Sequence, residues 1–372
     1  MTNPVPVLLM NYDLRFGGTE RQMSEAALHL DRSRFTPHVA CIRLQGGRRA
    51  ELERAGVPLV EFSFPSFGSW QALAAARRMA VYLRRHRIQV VHSFDVPGNL
   101  FAVPVAFTSR VPVVLSSQRA FRELTPGWYH RMLRVTDSLV DGTVVNSANL
   151  REHLHLRDGI AAERLTLIYN SVDLERFRPG EKCVEVLPGC SPVIGSTSML
   201  RPEKGVDTLL NAFAALAPRF PRAGLVLVGT GPQHAAMETR AMQMGLSERV
   251  HFAGPVADVA PWLRRMDIFV LPSLSEALSN SLIEAMASGC AALASEVGGN
   301  SELVTDPSRL FRPGDAEDLA RKLEPLLTDS VLRERVAAEG RAFVHQSFSG
   351  EKSLGRLADL YTEHLRRKGV TA

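Results

Sequence analysis

Short apolar runs alternate with longer stretches of helical period along almost the whole chain. Residues 5–10 form an apolar run of strand length, and Gly17 and Gly18 close the polar loop behind it. A helical pattern then starts at Thr19 and carries Met23, Ala26, Ala27 and Leu30 on one side. Gln22 follows Thr19 at the spacing of a capping box. The alternation goes on with strands at 38–44, 59–62, 89–93 and 112–116 and helices at 48–55, 70–86 and 98–107. Residues 141–146 read as the last strand of this first sheet. Strands joined by helices of this length make βαβ units and therefore a parallel sheet. Right-handed crossovers bring the loops that follow the strands to one edge, where such folds bind ligands.

The pattern restarts after Phe177-Arg178-Pro179-Gly180, which closes a domain of residues 1–180. Residues 181–190 have turn residues and no helical period, and read as a linker. A second domain, 191–349, opens with a strand at 193–196, a loop to Gly205, and a helix through Val206, Leu209, Leu210 and Phe213. Strands at 225–228, from 250 and at 267–271 follow, with a helix from Asn280 to the stop at Gly289. Helices close the chain at 315–327, 331–344 and 351–367. The expected fold class is α/β, with two Rossmann-like, doubly wound domains.

A length of 372 residues agrees with two cores of ordinary size, and 45% hydrophobic with 22% charged residues is ordinary globular composition. The start of the chain lacks the basic flank of a signal peptide and reads as a first strand, and no apolar run reaches membrane-spanning length. A cytoplasmic protein is expected, peripheral on the inner face of the membrane. Cys41, Cys183, Cys190 and Cys290 show no C-x-x-C spacing, so free thiols are expected rather than zinc or a disulfide. The net charge of +5 is uneven: residues 1–188 hold 24 Lys+Arg against 18 Asp+Glu, the remainder 20 against 21. Arg77, Arg78, Arg84, Arg85 and Arg87 cluster, and 128–134 (WYHRMLR) mixes aromatics with arginines. An anionic membrane surface is the partner this implies. No nucleic-acid motif or stacking series accompanies the charge, so nucleic acid is not expected.

Two loops carry the chemistry. Arg201 and Lys204 stand in a strand-to-helix loop ending at Gly205, which makes a phosphate site by charge, dipole and accessible backbone. Glu276 lies in the loop after the 267–271 strand, and Glu284 follows seven intervening residues later on the helix. Asn280 and Glu284 are four apart and share one helix face. Carboxylates there suit sugar hydroxyls. The G-x-G-x-x-G pattern is absent after the first strand, which argues against a nicotinamide enzyme.

E-x7-E followed by EAMA-x-G and GG-x-x-E, together with R-x-x-K-G at 201–205, resembles the signature of retaining glycosyltransferases of family 4. FGGTE at 16–20, VGTGP at 228–232 and IYNSVD at 168–173 are similar to further segments of that family. The resemblance covers essentially the whole chain and implies the GT-B architecture. Its two domains face each other across a cleft, and the terminal segment 350–372 crosses back to the first. It implies a nucleoside-diphosphate sugar as donor, UDP- or GDP-linked, and a glycan, lipid-linked or small-molecule acceptor, with no cofactor and no metal. Arg201 and Lys204 would neutralise the departing diphosphate, and Glu276 would hold the donor sugar. Gly17, Gly18, Gly229, Val256, Leu278, Asn280, Ser281 and Glu284 would line the nucleotide and its phosphates. His92, at a strand end, and Arg119, where relatives carry a histidine, are the candidates on the acceptor side. A GT-B epimerase or hydrolase, or a non-catalytic nucleotide-sugar binder, would use the same donor clamp.

Overall fold

The computed structural model describes residues 4–15, 17–125 and 127–370. It divides into two compact units, Met1–Ser171 with Gly350–Ala372, and Val172–Ser349. The first holds seven strands, β1 (Val5–Asn11), β2 (Phe35–Cys41), β3 (Leu59–Glu61), β4 (Val90–Ser93), β5 (Val113–Gln118), β6 (Gly142–Val145) and β7 (Leu165–Leu167). They lie in the order β3-β2-β1-β4-β5-β6-β7, all parallel. The alternation of side chains along β1 serves two cores. Val5, Val7 and Leu9 join one cluster with the Gly18–His29 helix and the terminal Gly350–Arg367 helix. Leu8 and Met10 join another with the Trp70–Arg85 and Val96–Thr108 helices. A sheet covered on both faces requires such continuous apolar strands. Leu357, Ala358, Tyr361 and Leu365 seat the terminal helix in this unit, as expected from the resemblance.

Three local expectations change. β2 starts at Phe35, pairing Phe35 with Val5, and ends before Arg43. β7 extends the sheet past the strand expected to be last; with only three residues it gives almost no period to read. The helix after Gly17 begins at Gly18 without a side-chain cap. Gln22 instead closes a buried amide pair with Ser171, giving Nε2–H to its carbonyl and accepting its N–H, each at 2.9 Å.

The second unit holds β8 (Val193–Thr197), β9 (Gly224–Val228), β10 (Val250–Gly254), β11 (Ile268–Leu271), β12 (Ala291–Ser295) and β13 (Leu310–Phe311). Their order, β10-β9-β8-β11-β12-β13, is again all parallel and doubly wound. Leu209 and Phe213 of the Val206–Leu216 helix and Leu319 and Leu323 of the Ala316–Thr328 helix cover one face. The unit begins at Val172, ahead of the boundary expected at Gly180. Residues 181–190 strap onto it rather than hang as a linker: Lys182 Nζ binds Asp267 at 2.6 Å, and Arg265 donates to the Val186 carbonyl at 3.1 Å.

Candidate active site

β8 and β11 are neighbours at the centre of the second sheet, and the chain winds away from them in opposite directions. The loops leaving their carboxyl ends therefore meet at the switch point, where the sheet opens a ligand position. These are the loops of Arg201–Gly205 and Glu276, and three contacts tie them together. Gly205 adopts φ 58°, and a Cβ there would fall 2.1 Å from the Pro272 carbonyl oxygen, so only glycine fits. The Leu274 N–H donates to the Glu203 carbonyl at 2.8 Å. Lys204 Nζ reaches Glu276 Oε1 at 2.5 Å, with both side chains mostly shielded from solvent. Arg201 stays half exposed, its guanidinium 3.8 Å from Glu203, and presents a cation at the mouth of the loop.

The Asn280–Ala287 helix starts from the same loop. Its cap is Ser279, whose Oγ accepts the Leu282 N–H at 3.3 Å, so Asn280 and Ser281 occupy the first turn. Glu284 follows one turn on and is 6% exposed; Leu278 is buried beside the cap. The first-turn N–H groups and the helix dipole favour an anion at this end. On the other side of β8, Gly229 takes φ 128°, and a Cβ there would stand 2.0 Å from the Ser198 carbonyl oxygen. Its loop thus presses backbone to backbone on the Arg201 loop. Val256 lies in the loop beyond β10, half-buried. The sequence-derived donor residues of this unit accordingly share one sheet edge. Sequence reasoning passed over one hydroxyl of this loop, Ser273; its signal was a serine just behind a strand.

In the first unit the outcome is mixed. Gly17 and Gly18 sit at a helix start, but the space a Gly17 side chain would take is filled by the Glu20 carboxylate, whose pKa burial raises. Phe16 lies outside the described residues. His92 requires a correction. It is wholly buried within β4, its Nδ1 on the Tyr361 hydroxyl at 2.7 Å and its Nε2 on Ser117 Oγ at 2.8 Å. Burial, with Arg119 adding to it, pushes its pKa down to about 3. It is a neutral pin between the sheet and the terminal helix, not an acceptor contact. Arg119 donates to Asn170 Oδ1 at 2.7 Å and lies 5.3 Å over the Phe94 ring. Burial lowers its pKa to about 10, which still leaves a cation at neutral pH. Asp95 caps the Val96–Thr108 helix and accepts the Tyr12 and Gly98 N–H groups, each at 2.8 Å; burial, then the nearby acids Glu20 and Asp13, push it up to about 7. Among the described residues no group of three or more His, Cys, Asp or Glu is arranged to hold a metal ion.

The two sheets have close counterparts among solved structures. HepE of Anabaena, solved with UDP and glucose, superposes with a TM-score of 0.85 over 96% of this chain and 99% of that one, at 21% identity. The fold is thus the GT-B fold of glycosyltransferases. Residues 16–176 match the family described as Glycosyltransferase Family 4, and residues 191–329 that described as Glycosyl transferases group 1. The chain belongs to this family, and it is a glycosyltransferase. It is 26% identical to the lipopolysaccharide core biosynthesis mannosyltransferase LpcC of Rhizobium leguminosarum bv. viciae, over 80% of this chain and 82% of the relative. The mannosyltransferase LpsB of Rhizobium meliloti is 27% identical over 73% of this chain and 77% of its own length.

Proposed function

We propose that the protein is a retaining, metal-independent hexosyltransferase. It moves a sugar from a UDP- or GDP-sugar to a hydroxyl of a glycan or lipid-linked acceptor, in lipopolysaccharide or related glycan synthesis. The observation that carries this reading is the Lys204–Glu276 contact, which fastens the cationic loop to the carboxylate loop at the switch point. A cation for the diphosphate and a carboxylate for the sugar then lie one hydrogen bond apart, so that a single bound donor can meet both. Arg201, Lys204 and the helix start at Asn280–Ser281 stabilise charge on the diphosphate as the C1–O bond breaks, and Glu284 takes the ribose hydroxyls. The acceptor oxygen bonds to C1 from the face the diphosphate leaves, and its proton passes to the departing phosphate oxygen. Positioning and charge stabilisation perform the chemistry, which asks for no general base and no metal. The polar edge of the first unit, with Glu20, Asp95 and Arg119, is the acceptor side. The reading is tested by incubating the protein with UDP- and GDP-sugars, a glycolipid fraction and excess chelator. The expected product is a new glycoside. Free sugar or an epimer alone would favour the hydrolase or epimerase, binding without turnover would favour the sensor, and strict dependence on added Mg²⁺ or Mn²⁺ would remove the metal-free mechanism.

The acceptor's lipid character has its own support in the first unit. Trp70, Leu73, Arg77, Val81 and Arg84 form one exposed stripe along the Trp70–Arg85 helix. Trp128, Arg131, Met132, Arg134 and Val135 are exposed on the Gly127–Leu139 helix, and the Val96–Thr108 helix packs against both. Exposed tryptophans among arginines fit an anionic bilayer surface, each near-surface arginine contributing about 1 kcal/mol. No helix among the described residues is long and apolar enough to cross a membrane. The protein should sediment with phosphatidylglycerol vesicles at low salt and not with phosphatidylcholine vesicles. R131E/R134E should weaken that binding by about tenfold or more, and equal recovery on both vesicle types would rule the surface out.

A further inference from the structure

Glu276 is held by more than Lys204. The same oxygen, Oε1, accepts a hydrogen bond from Ser273 Oγ at 3.0 Å. Ser273 is fully buried, and its carbonyl accepts the Ser295 hydroxyl at 2.5 Å. Ser295, also fully buried, ends β12, and its own carbonyl accepts from Asn300 Nδ2 at 3.0 Å; Asn300 opens the short Asn300–Leu303 helix and is buried as well. Three buried polar residues from three separate segments are thus linked, Asn300 to Ser295 and Ser295 to Ser273 through main-chain carbonyls, and the Ser273 hydroxyl ends the series on Glu276. Burying hydroxyl and amide groups in a core costs free energy unless each finds a partner, and each such bond returns only about 1 kcal/mol. A core of small apolar residues would serve stability as well. The chain has a geometric product instead. With Lys204 and Ser273 both on Oε1, the carboxylate cannot rotate freely, and no hydrogen bond among the described residues engages Oε2.

We propose that Ser273 is a positioning residue, which fixes the Glu276 carboxylate so that Oε2 points at the donor sugar. The proposal rests on Glu276 being the carboxylate that meets that sugar. Lys204 alone is a poor restraint, because its flexible ammonium must also serve the diphosphate. When the donor enters and draws Lys204 toward phosphate, Ser273 is what keeps Glu276 in place. Its role is therefore greatest in the loaded enzyme, and it acts through Glu276 rather than on the sugar.

The test compares the full-length protein with S273A and S273T for transfer turnover, affinity for UDP and GDP, and melting temperature. The proposal expects S273A to lose between about 10- and 100-fold in kcat, the scale of a misplaced reacting group. UDP or GDP affinity should stay within about twofold, because Glu276 touches the sugar and not the nucleotide. S273T, which keeps the hydroxyl, should recover most of the lost turnover. Unchanged kcat in S273A overturns the proposal; so does a parallel loss of kcat, nucleotide affinity and melting temperature, which marks a merely structural hydroxyl. A crystal structure of S273A with UDP or GDP bound, the state in which Lys204 is drawn to phosphate, decides the matter without any turnover assay. Glu276 released from its position supports the proposal, and Glu276 unmoved overturns it. A parent protein inactive with every donor would count instead against the transferase reading, and leaves the crystallographic outcome decisive for Ser273.

Discussion

Glu276→Ala is expected to leave a folded protein with turnover lowered by about 10²- to 10³-fold, the scale of one preorganised charged contact. The side chain lies 13% exposed in the loop behind β11, with Lys204 on one of its oxygens. Removing it costs the fold about 1–3 kcal/mol, since Lys204, 27% exposed, turns its ammonium to water while the buried Ser273 hydroxyl loses its acceptor. The loss should appear in kcat and not in affinity for free UDP or GDP, because the proposed contact is to the sugar as positive charge develops at C1. Glu276→Gln separates charge from shape. It keeps the hydrogen-bonding outline, so a loss nearly as large as that of the alanine variant would assign the effect to the negative charge. Stopped or steady-state transfer assays alongside calorimetric titration with UDP and GDP check all three statements. A transfer rate unchanged in Glu276→Ala would remove this residue from the mechanism.

The placement of the second sheet's candidate residues was legible because the loops of a doubly wound fold that follow its strands collect at one edge. Arg201, Lys204, Gly205 and Glu276 all stand in strand-to-helix loops, and the crossover rule alone places such loops at one edge. The meeting of Lys204 with Glu276 was not legible. They are far apart in the chain, and only the strand order, with β8 against β11, makes their loops neighbours. Sequence pattern reads periods; it does not read pairing between distant strands. The same limit hid the role of His92. Its place near a strand end suggested the ligand edge, but the side chain turns into the core, where Tyr361 from the terminal helix meets it. The His234–Gln243 helix gave no clear signal either, since only Met237 and Ala241 of it are buried. The 181–190 segment was misread as a linker for a related reason. It has no regular period, and its attachment comes from Lys182 and from Arg265 of a distant helix, partners its own sequence does not announce. What the first unit binds is the least legible part. Asp95 and Glu20 are ordinary surface residue types in the sequence, and burial alone sets them apart; Arg119 stood out only through the resemblance.

Read as a pair of carboxylates, Glu276 and Glu284 would invite a general acid and a general base. The structure separates them by environment. Glu284 is carried on the helix and almost fully buried, whereas Glu276 is bonded to a cation at the loop. One oxygen of the Glu276 carboxylate is taken up by the Lys204 ammonium and the Ser273 hydroxyl, which holds the group in a fixed orientation. That arrangement suits charge stabilisation instead, and it makes Lys204 the partner whose removal discriminates best.

Lys204→Ala should cost about 2–4 kcal/mol in kcat/KM, or about 30- to 900-fold. Unlike Glu276→Ala, it should also weaken UDP or GDP, because the ammonium is proposed to meet the diphosphate in the bound and departing states alike. Lys204→Arg is not expected to rescue it. Lys204 meets Glu276 through a single-point ammonium, and the planar fork of arginine presents its donors in a different geometry to both the carboxylate and the diphosphate. The double variant Lys204→Ala with Glu276→Ala carries the sharper information. One hydrogen bond joins the two side chains, so their effects should not add: the double loss should fall short of the sum by about 0.5–3 kcal/mol. Full additivity would mean that the contact has no part in the reaction and that the two residues act on the donor independently. Coupling with intact nucleotide affinity in Lys204→Ala would place the ammonium on the sugar side, with Arg201 and the helix start left to hold the diphosphate.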